Sequence, residues 1–163
     1  MPENEKNRAD VSTGARRRCR DIMTSSVTTA APEMTLREVA ALLRDTDVGA
    51  LPVVKENRLV GIITDRDIVI RAVAEGKDTN TVTVAEVMTA EVFSAAPDTF
   101  VFEVIRVMGD KQIRRVPVVS GAGELCGMIA MADIALEMED EREIAETLED
   151  ISSGAAFWKK GEQ

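Results

Sequence analysis

The residues best placed to do chemistry lie in one short run, Gly61-Ile62-Ile63-Thr64-Asp65-Arg66-Asp67-Ile68, where an apolar, β-branched stretch turns into a helical one. A strand-to-helix junction offers backbone N–H groups and the positive end of a helix dipole, which suits a phosphate. Thr64 adds a hydroxyl at that mouth, and Arg66 a positive charge, the weaker phosphate candidate of the two. Asp67 brings a carboxylate able to accept two hydrogen bonds from a ribose diol, as acidic residues do in nucleotide-binding folds. The same residues also fit a purely structural role. Thr64 or Asp65 would then cap the helix, and Asp67 would favour its first turn electrostatically.

The chain repeats this run with changes. Asp21 to Val54 aligns without a gap onto Glu86 to Val119, with Met23-Thr24 on Met88-Thr89 and Pro52-Val53-Val54 on Pro117-Val118-Val119. After one inserted residue, Leu59, Gly61, Ile63, Asp67 and Ile68 match Leu125, Gly127, Ile129, Asp133 and Ile134. Small repeats usually bury their apolar faces against each other. The second copy reads Gly127-Met128-Ile129-Ala130-Met131-Ala132-Asp133, so Asp133 survives while Ala130 has no hydroxyl. Before the Pro-Val-Val segment the second copy has Arg114-Arg115 where the first has Gly49-Ala50.

Each copy predicts the order strand, helix, strand, strand, helix, an α+β plan. In the first, Val27 to Ala30 reads as a short strand ended by Pro32. Thr35-Leu36-Arg37-Glu38 reads as a capping box, and Leu36, Val39, Ala40 and Leu43 form one buried helical stripe. The runs Val48 to Val54 and Leu59 to Thr64 flank a polar turn at Lys55 to Arg58, a hairpin signal. Asp65 opens a second helix through Ala74, with Gly76 as its stop. In the second copy the strand is Val92 to Ala95, the first helix spans about Thr99 to Lys111, and the hairpin turns at Ser120 to Gly123. Helical character then continues to Ile151, with Ile134, Met138, Ala145 and Leu148 on one face. The expected divisions are a polar arm over 1–19, repeat 1 over 20–76, a linker over 77–84, repeat 2 over 85–138, and an acidic helical extension with a tail over 139–163. The basic run Arg16 to Arg20 reads more readily as a solvated arm than as an anion or partner contact.

Composition narrows the function classes. The chain has 163 residues, 45% hydrophobic and 30% charged, with a net charge of -9. That acidity argues against nucleic-acid binding. No apolar run approaches the roughly 20 residues of a membrane span. The polar start, Met1 to Asp10, is unlike a signal peptide, so a cytoplasmic location is expected. There is no histidine and no tyrosine, which removes the commonest general base and the commonest zinc ligand. Cys19 and Cys126 lack metal-ligand or redox spacing, and Cys126 reads as a small core residue. An enzyme would have to rely on carboxylates, lysine or a lone cysteine, and the sequence shows no P-loop or metal cluster.

The repeated pattern of Met-Thr, Pro-Glu/Asp, a helix, Leu/Val-Pro-Val-Val and then Gly, two apolar residues, Thr/Ser and Asp three on resembles the cystathionine-β-synthase (CBS) domain. Over about Arg20 to Met138 the chain is similar to a tandem CBS pair, and most to the small stand-alone bacterial ones. That resemblance implies a regulatory or sensing module of two repeats packed with pseudo-twofold symmetry, with clefts that in many members bind AMP, ADP, ATP, NAD(H) or S-adenosylmethionine. No cofactor is required for such a role. By the family's pattern, Thr64 meets phosphate, Asp67 meets ribose, and Arg114 or Arg115 reaches the phosphate. A solvated strand edge or salt bridge is an equal use for the arginines. The base would lie against Val92, Phe93 and Ile113. A second, weaker cleft would draw on Val27, Thr28, Val48 and Asp133. All these apolar positions serve equally well as plain core. A homodimer is expected, with the helices after Asp67 and Asp133 at its interface, because Ile68 to Ala74 is apolar over more than one face and a helix of that kind needs cover on both sides. The alternative function is a structural or interaction module with vestigial clefts, its acidic C-terminal helix binding a further protein.

Overall fold

In the computed structural model, residues 17–137, 145–146 and 148–151 are described. In chain order the elements are α1 (Cys19–Ile22), α2 (Leu36–Thr46), β1 (Ala50–Lys55), β2 (Arg58–Thr64), α3 (Asp65–Ile68), a π-helical turn (Val69–Val73), α4 (Val84–Val87), α5 (Val101–Lys111), β3 (Arg115–Val119), β4 (Leu125–Ala130) and α6 (Met131–Glu137). Among the described residues, two sheets of two strands, β1-β2 and β3-β4, together with the helices make the fold α+β.

Local chemistry accounts for most boundaries. Thr35 Oγ1 accepts the Glu38 N–H at 3.3 Å, and Glu38 Oε2 accepts the Thr35 N–H at 2.8 Å. These two bonds satisfy donors that every helix start leaves open, and the Thr35 amide and hydroxyl hold the Glu38 carboxyl below its usual range. Leu36, Val39 and Leu43 are buried as the stripe predicts, but Ala40 is exposed. α2 ends at Asp47, whose φ of 53° is left-handed. Glu56 and Asn57 both take positive φ, 50° and 64°, the pair of conformations that a two-residue hairpin turn requires. β1 begins at Ala50, and Val48 lies outside it at 42% exposure. The helix after Asp65 forms as expected, except that its second half winds as a π-helix, with the Ala74 N–H on the Val69 carbonyl at 2.8 Å.

The first strand expected in each copy is not there. Val27 to Ala30 reduces to one parallel bridge, Ala30 to Val53, and Val92 to Ala95 to another, Ala95 to Val118. Pro32 and Pro97 follow two residues later, and a proline has no N–H to extend a ladder. β-branched composition alone did not make these runs strands.

The helical extension is described in part. Helix is present at 145–146 and 148–151. Of the expected face, Ile134 is buried, Ala145 and Leu148 are exposed, and Met138 lies outside the described residues, as does the tail beyond 151. Among the described residues beyond 137, Ile151 is buried. Gln112 Nε2 donates to the Asp150 carbonyl at 3.3 Å, and Gly109 lets Asp150 approach so closely that an added Cβ would lie 3.2 Å from its Oδ2.

The chain forms two compact units, and neither follows sequence order. One combines the described residues up to Ser25 with Ser94–Val118 and those from Cys126 on, and the other combines Ser26–Phe93 with Val119–Leu125. In the first unit Val101 N–H donates to Arg17 O at 2.9 Å, Cys19 N–H to Thr99 O at 2.9 Å and Arg20 N–H to Pro97 O at 3.0 Å. In the second, the aligned residues make the aligned bonds: Leu36 N–H to Val82 O at 3.0 Å, Val84 N–H to Met34 O at 2.8 Å and Ala85 N–H to Pro32 O at 3.0 Å. The segment that opens each sequence repeat therefore closes the first long helix of the other, accepting from an amide that the helix start cannot use itself.

Arg17 to Arg20 is built into its unit rather than being a solvated arm. Arg17 pairs with Glu137 at 2.6 Å, and Arg20 pairs with Asp98. Arg18 donates to the Asp98 carbonyl at 2.7 Å and lies 4.5 Å from the centre of the Phe100 ring.

Candidate functional site

Strand β2 delivers Thr64 in an extended conformation, φ -118°, as the N-cap of α3. Its Oγ1 accepts the Asp67 N–H at 3.0 Å, and Asp67 Oδ2 accepts the Thr64 N–H at 3.1 Å. The structural role that the sequence allowed is thus real: Thr64 and Asp67 form a capping box. It does not exhaust either side chain. A hydroxyl that accepts one bond still has a proton to donate, and a carboxylate has about four acceptor sites. The Asp67 side chain keeps 15% of its surface, so it is not sealed from solvent.

The backbone of the junction is less available. Asp65 N–H donates to Gly49 O at 3.0 Å, Arg66 N–H to Asp65 Oδ1 at 2.7 Å, and Asp67 N–H to Thr64 Oγ1. All three first-turn amides already have acceptors within the chain. A phosphate there would depend on side chains, the Thr64 hydroxyl and arginine, more than on the helix start.

The second copy keeps half of this arrangement. Ala130 N–H donates to Asp133 Oδ2 at 2.8 Å, and Met131 N–H to Arg114 O at 2.9 Å, matching the bond from Asp65 to Gly49. With no hydroxyl at Ala130 the reciprocal bond is gone. Asp133 therefore has a structural reason to persist whether or not it meets a ligand.

Thr64, Arg66 and Asp67 share one junction, and Val92 and Phe93, both half-buried, belong to the same unit. Half-buried Ile113 and exposed Arg114 and Arg115 belong to the unit that holds Asp133. Of the residues expected around a second cleft, Val27, Thr28 and Val48 belong to the unit of Thr64, and only Val27 is half-buried. One polar neighbour of Asp67 escaped the sequence reading. Arg71 Nη2 lies 3.7 Å from Asp67 Oδ1. The signal was present, an arginine four residues after an aspartate, the spacing that puts both on one helix face.

Other chemistry is weakly supported. Burial pushes the Cys19 thiol up to about 11, so it is protonated at neutral pH and a poor nucleophile. Cys126 is half-buried in β4. Among the described residues no three His, Cys, Asp or Glu side chains converge as a metal site, and no helix is long and apolar enough to cross a membrane.

The sequence matches the CBS domain twice, over residues 19–73 and 84–140. It is 38% identical over 133 residues to the CBS domain-containing protein YhcV of Bacillus subtilis, covering 82% of this chain and 94% of that one. Hypoxic response protein 1 of Mycobacterium tuberculosis is 39% identical over 122 residues, covering 74% of this chain and 85% of the relative. A crystal structure of Hypoxic Response Protein I with two coordinated zinc ions superposes with a TM-score of 0.69, over 75% of this chain and 99% of the other, at 39% identity. The CBS domain pair of protein MJ0100, in complex with 5'-methylthioadenosine and S-adenosyl-L-methionine, superposes with a TM-score of 0.67 at 33% identity, over 74% of this chain and 94% of that one. With both copies matched and a 38% identical relative covered over 94% of its length, the chain belongs to the CBS-domain family and carries two CBS domains in tandem.

Proposed function

We propose that this CBS pair is a regulatory sensor that binds an adenosine-containing ligand of the AMP, ADP, ATP, NAD(H) or S-adenosylmethionine class and passes the change to a partner, without catalysis of its own. The observation that carries the reading is the Thr64–Asp67 junction, where a hydroxyl and a partly exposed carboxylate stand one turn apart with hydrogen-bonding capacity left over. The MJ0100 pair, at 33% identity, holds two adenosine derivatives, which supports the ligand class. Thr64 would donate to phosphate, assisted by Arg66, and Asp67 would accept from ribose. Val92, Phe93 and Ile113 would flank the base, and Arg114 or Arg115 would neutralise phosphate. Asp133, with Val27, Thr28 and Val48, would make at most a weaker site, since Ala130 supplies no hydroxyl. Regulation of this kind requires the ligand to prefer one of two states. Calorimetric titration with adenosine, AMP, ATP and S-adenosylmethionine tests the reading directly. No heat and no thermal stabilisation with any of them would overturn it.

The arginines have their own test. Arg114→Ala and Arg115→Ala are expected to weaken AMP and ATP roughly tenfold while leaving adenosine nearly unchanged, because a charge-assisted bond to phosphate is lost. The AMP affinity of the unaltered protein should also fall with added salt. Equal losses for adenosine and AMP would assign the arginines to the fold or the base pocket.

Self-association is a separate expectation, which goes with the sensor reading and with an interaction module alike, and one exposed surface supports it. On the π-helical turn Val69, Ile70 and Val73 are 56%, 46% and 57% exposed. Side chains of this kind gain most from cover, and a second copy presenting the same patch would supply it. A homodimer is the expected state, read by light scattering at micromolar concentration as twice the chain mass. Val69→Glu together with Val73→Glu should then yield monomer. A monomer for the unaltered protein at high concentration would refute the assignment.

A further inference from the structure

Asp67 shares its helix face with a cation that is held in place from elsewhere. Arg71 Nη1 donates to the Val87 carbonyl at 2.8 Å and to Thr89 Oγ1 at 3.3 Å. Those two acceptors anchor the guanidinium, and from there Nη2 faces Asp67 Oδ1 at 3.7 Å. The separation is too long for a hydrogen bond but close enough for attraction. The two oxygens of Asp67 thus have different duties. Oδ2 is taken by the Thr64 N–H at 3.1 Å, and Oδ1 is oriented toward a positive charge without surrendering its lone pairs to it.

The second copy reverses the sign. The residue aligned with Arg71 is Glu137, one turn after Asp133. Glu137 pairs with Arg17 at 2.6 Å. Opposite charges four residues apart on a helix attract and like charges repel. Asp67 therefore sits beside a fixed cation, and Asp133 has an acidic residue at that spacing.

We infer that Arg71 is a positioning residue for ribose recognition: anchored on Val87 and Thr89, it holds Asp67 Oδ1 in the orientation that accepts from the two hydroxyls of a ribonucleoside. The inference rests on the adenosine-ligand reading above and adds a selectivity, ribonucleotide over 2'-deoxyribonucleotide. Because the anchors belong to the segment around Met88-Thr89, the same guanidinium links the ligand's sugar to that segment. Arg71 itself touches neither base nor phosphate in this scheme, so those preferences should not depend on it.

The test compares AMP with 2'-deoxy-AMP, and AMP with adenosine, by titration calorimetry on the unaltered protein, Arg71→Gln and Arg71→Lys. The unaltered protein should prefer AMP to 2'-deoxy-AMP. Arg71→Gln should reduce that preference about three- to fivefold, the range of a partly exposed ion pair. Arg71→Lys, which keeps the charge, should restore most of it, and the ratio of AMP to adenosine should stay constant in all three. Melting temperatures for the same proteins separate folding from binding. If both variants bind AMP with the sugar preference intact, or lose AMP and 2'-deoxy-AMP in parallel, Arg71 only supports the Val87–Thr89 segment and the inference is overturned. If the unaltered protein binds neither nucleotide, the adenosine reading falls and takes this inference with it, an outcome visible before any variant is made.

Discussion

Asp67→Ala is expected to remove most binding of an adenosine ligand, by roughly tenfold or more, while Asp133→Ala changes it little. The size follows from losing a hydrogen bond to a charged group, about 1.5–3 kcal/mol. The comparison is informative because the two aspartates share one structural role. Each accepts the N-cap amide of its helix, Thr64 N–H at 3.1 Å for Asp67 and Ala130 N–H at 2.8 Å for Asp133. Removing either should cost a similar amount of stability, about 0.5–2 kcal/mol for a lost cap. A difference in binding between two variants of similar melting temperature then belongs to the ligand. Asp67→Asn sharpens the point, since an amide oxygen still accepts the Thr64 N–H while the charge is gone. It should keep the stability and lose the ribose contact. If Asp133→Ala proves the more damaging change to binding, the site has been placed in the wrong copy.

Much of the fold was legible because it is set by short-range chemistry. Thr35 and Glu38 signalled the start of α2, and Asn57 within a polar turn signalled the hairpin between β1 and β2. What was not legible depends on partners far away in the chain. The run from Arg17 to Arg20 looked solvated because its acceptors, Asp98 and Glu137, stand far along the sequence. Val27 to Ala30 had the composition of a strand but only one residue's worth of ladder before a proline. The π-helical winding of Val69–Val73 leaves no trace in an apolar pattern. At the site, residue type and spacing single out Thr64 and Asp67 and allow Thr64 or Asp65 as a cap, but the bond that Asp67 returns to the Thr64 N–H was not legible. The hold of Arg71 on Val87 and Thr89 was not legible, because it depends on the crossing of a segment 16 to 18 residues away in the chain.

That crossing is the least legible feature of all, and its test is the second large effect. An internal duplication shows that Met23-Thr24 and Met88-Thr89 are equivalent, yet identical motifs cannot reveal which repeat each one packs on. Two glycines decide it. Thr89 exchanges both backbone bonds with Ile62, each 2.9 Å, and Thr24 does so with Met128 at 2.9 and 3.0 Å. A Cβ added at Gly61 would stand 2.8 Å from Thr89 O and 2.7 Å from Met88 Sδ. At Gly127 it would stand 2.7 Å from Thr24 O and 2.9 Å from Met23 Sδ. The thioethers can swing away, but the carbonyls are fixed by the hydrogen bonds they accept, so the backbone would have to part. Gly61→Ala and Gly127→Ala are therefore expected to cost about 1–3 kcal/mol through overpacking, against the roughly 0.5–1 kcal/mol that alanine ordinarily recovers from glycine within a strand. The net loss should lower the melting temperature by several degrees, about 2–4 °C per kcal/mol at this chain length. Gly121→Ala, where nothing lies within 4 Å, serves as the control and should be close to neutral. The location of the damage is as telling as its size. In Gly61→Ala, amide exchange should rise at Thr89 and Ile62, and in Gly127→Ala at Thr24 and Met128. Each motif would thereby report on the glycine of the other sequence repeat. If Gly61→Ala instead loosens Thr24 and leaves Thr89 protected, each Met-Thr segment packs on its own repeat, and the crossing is wrong.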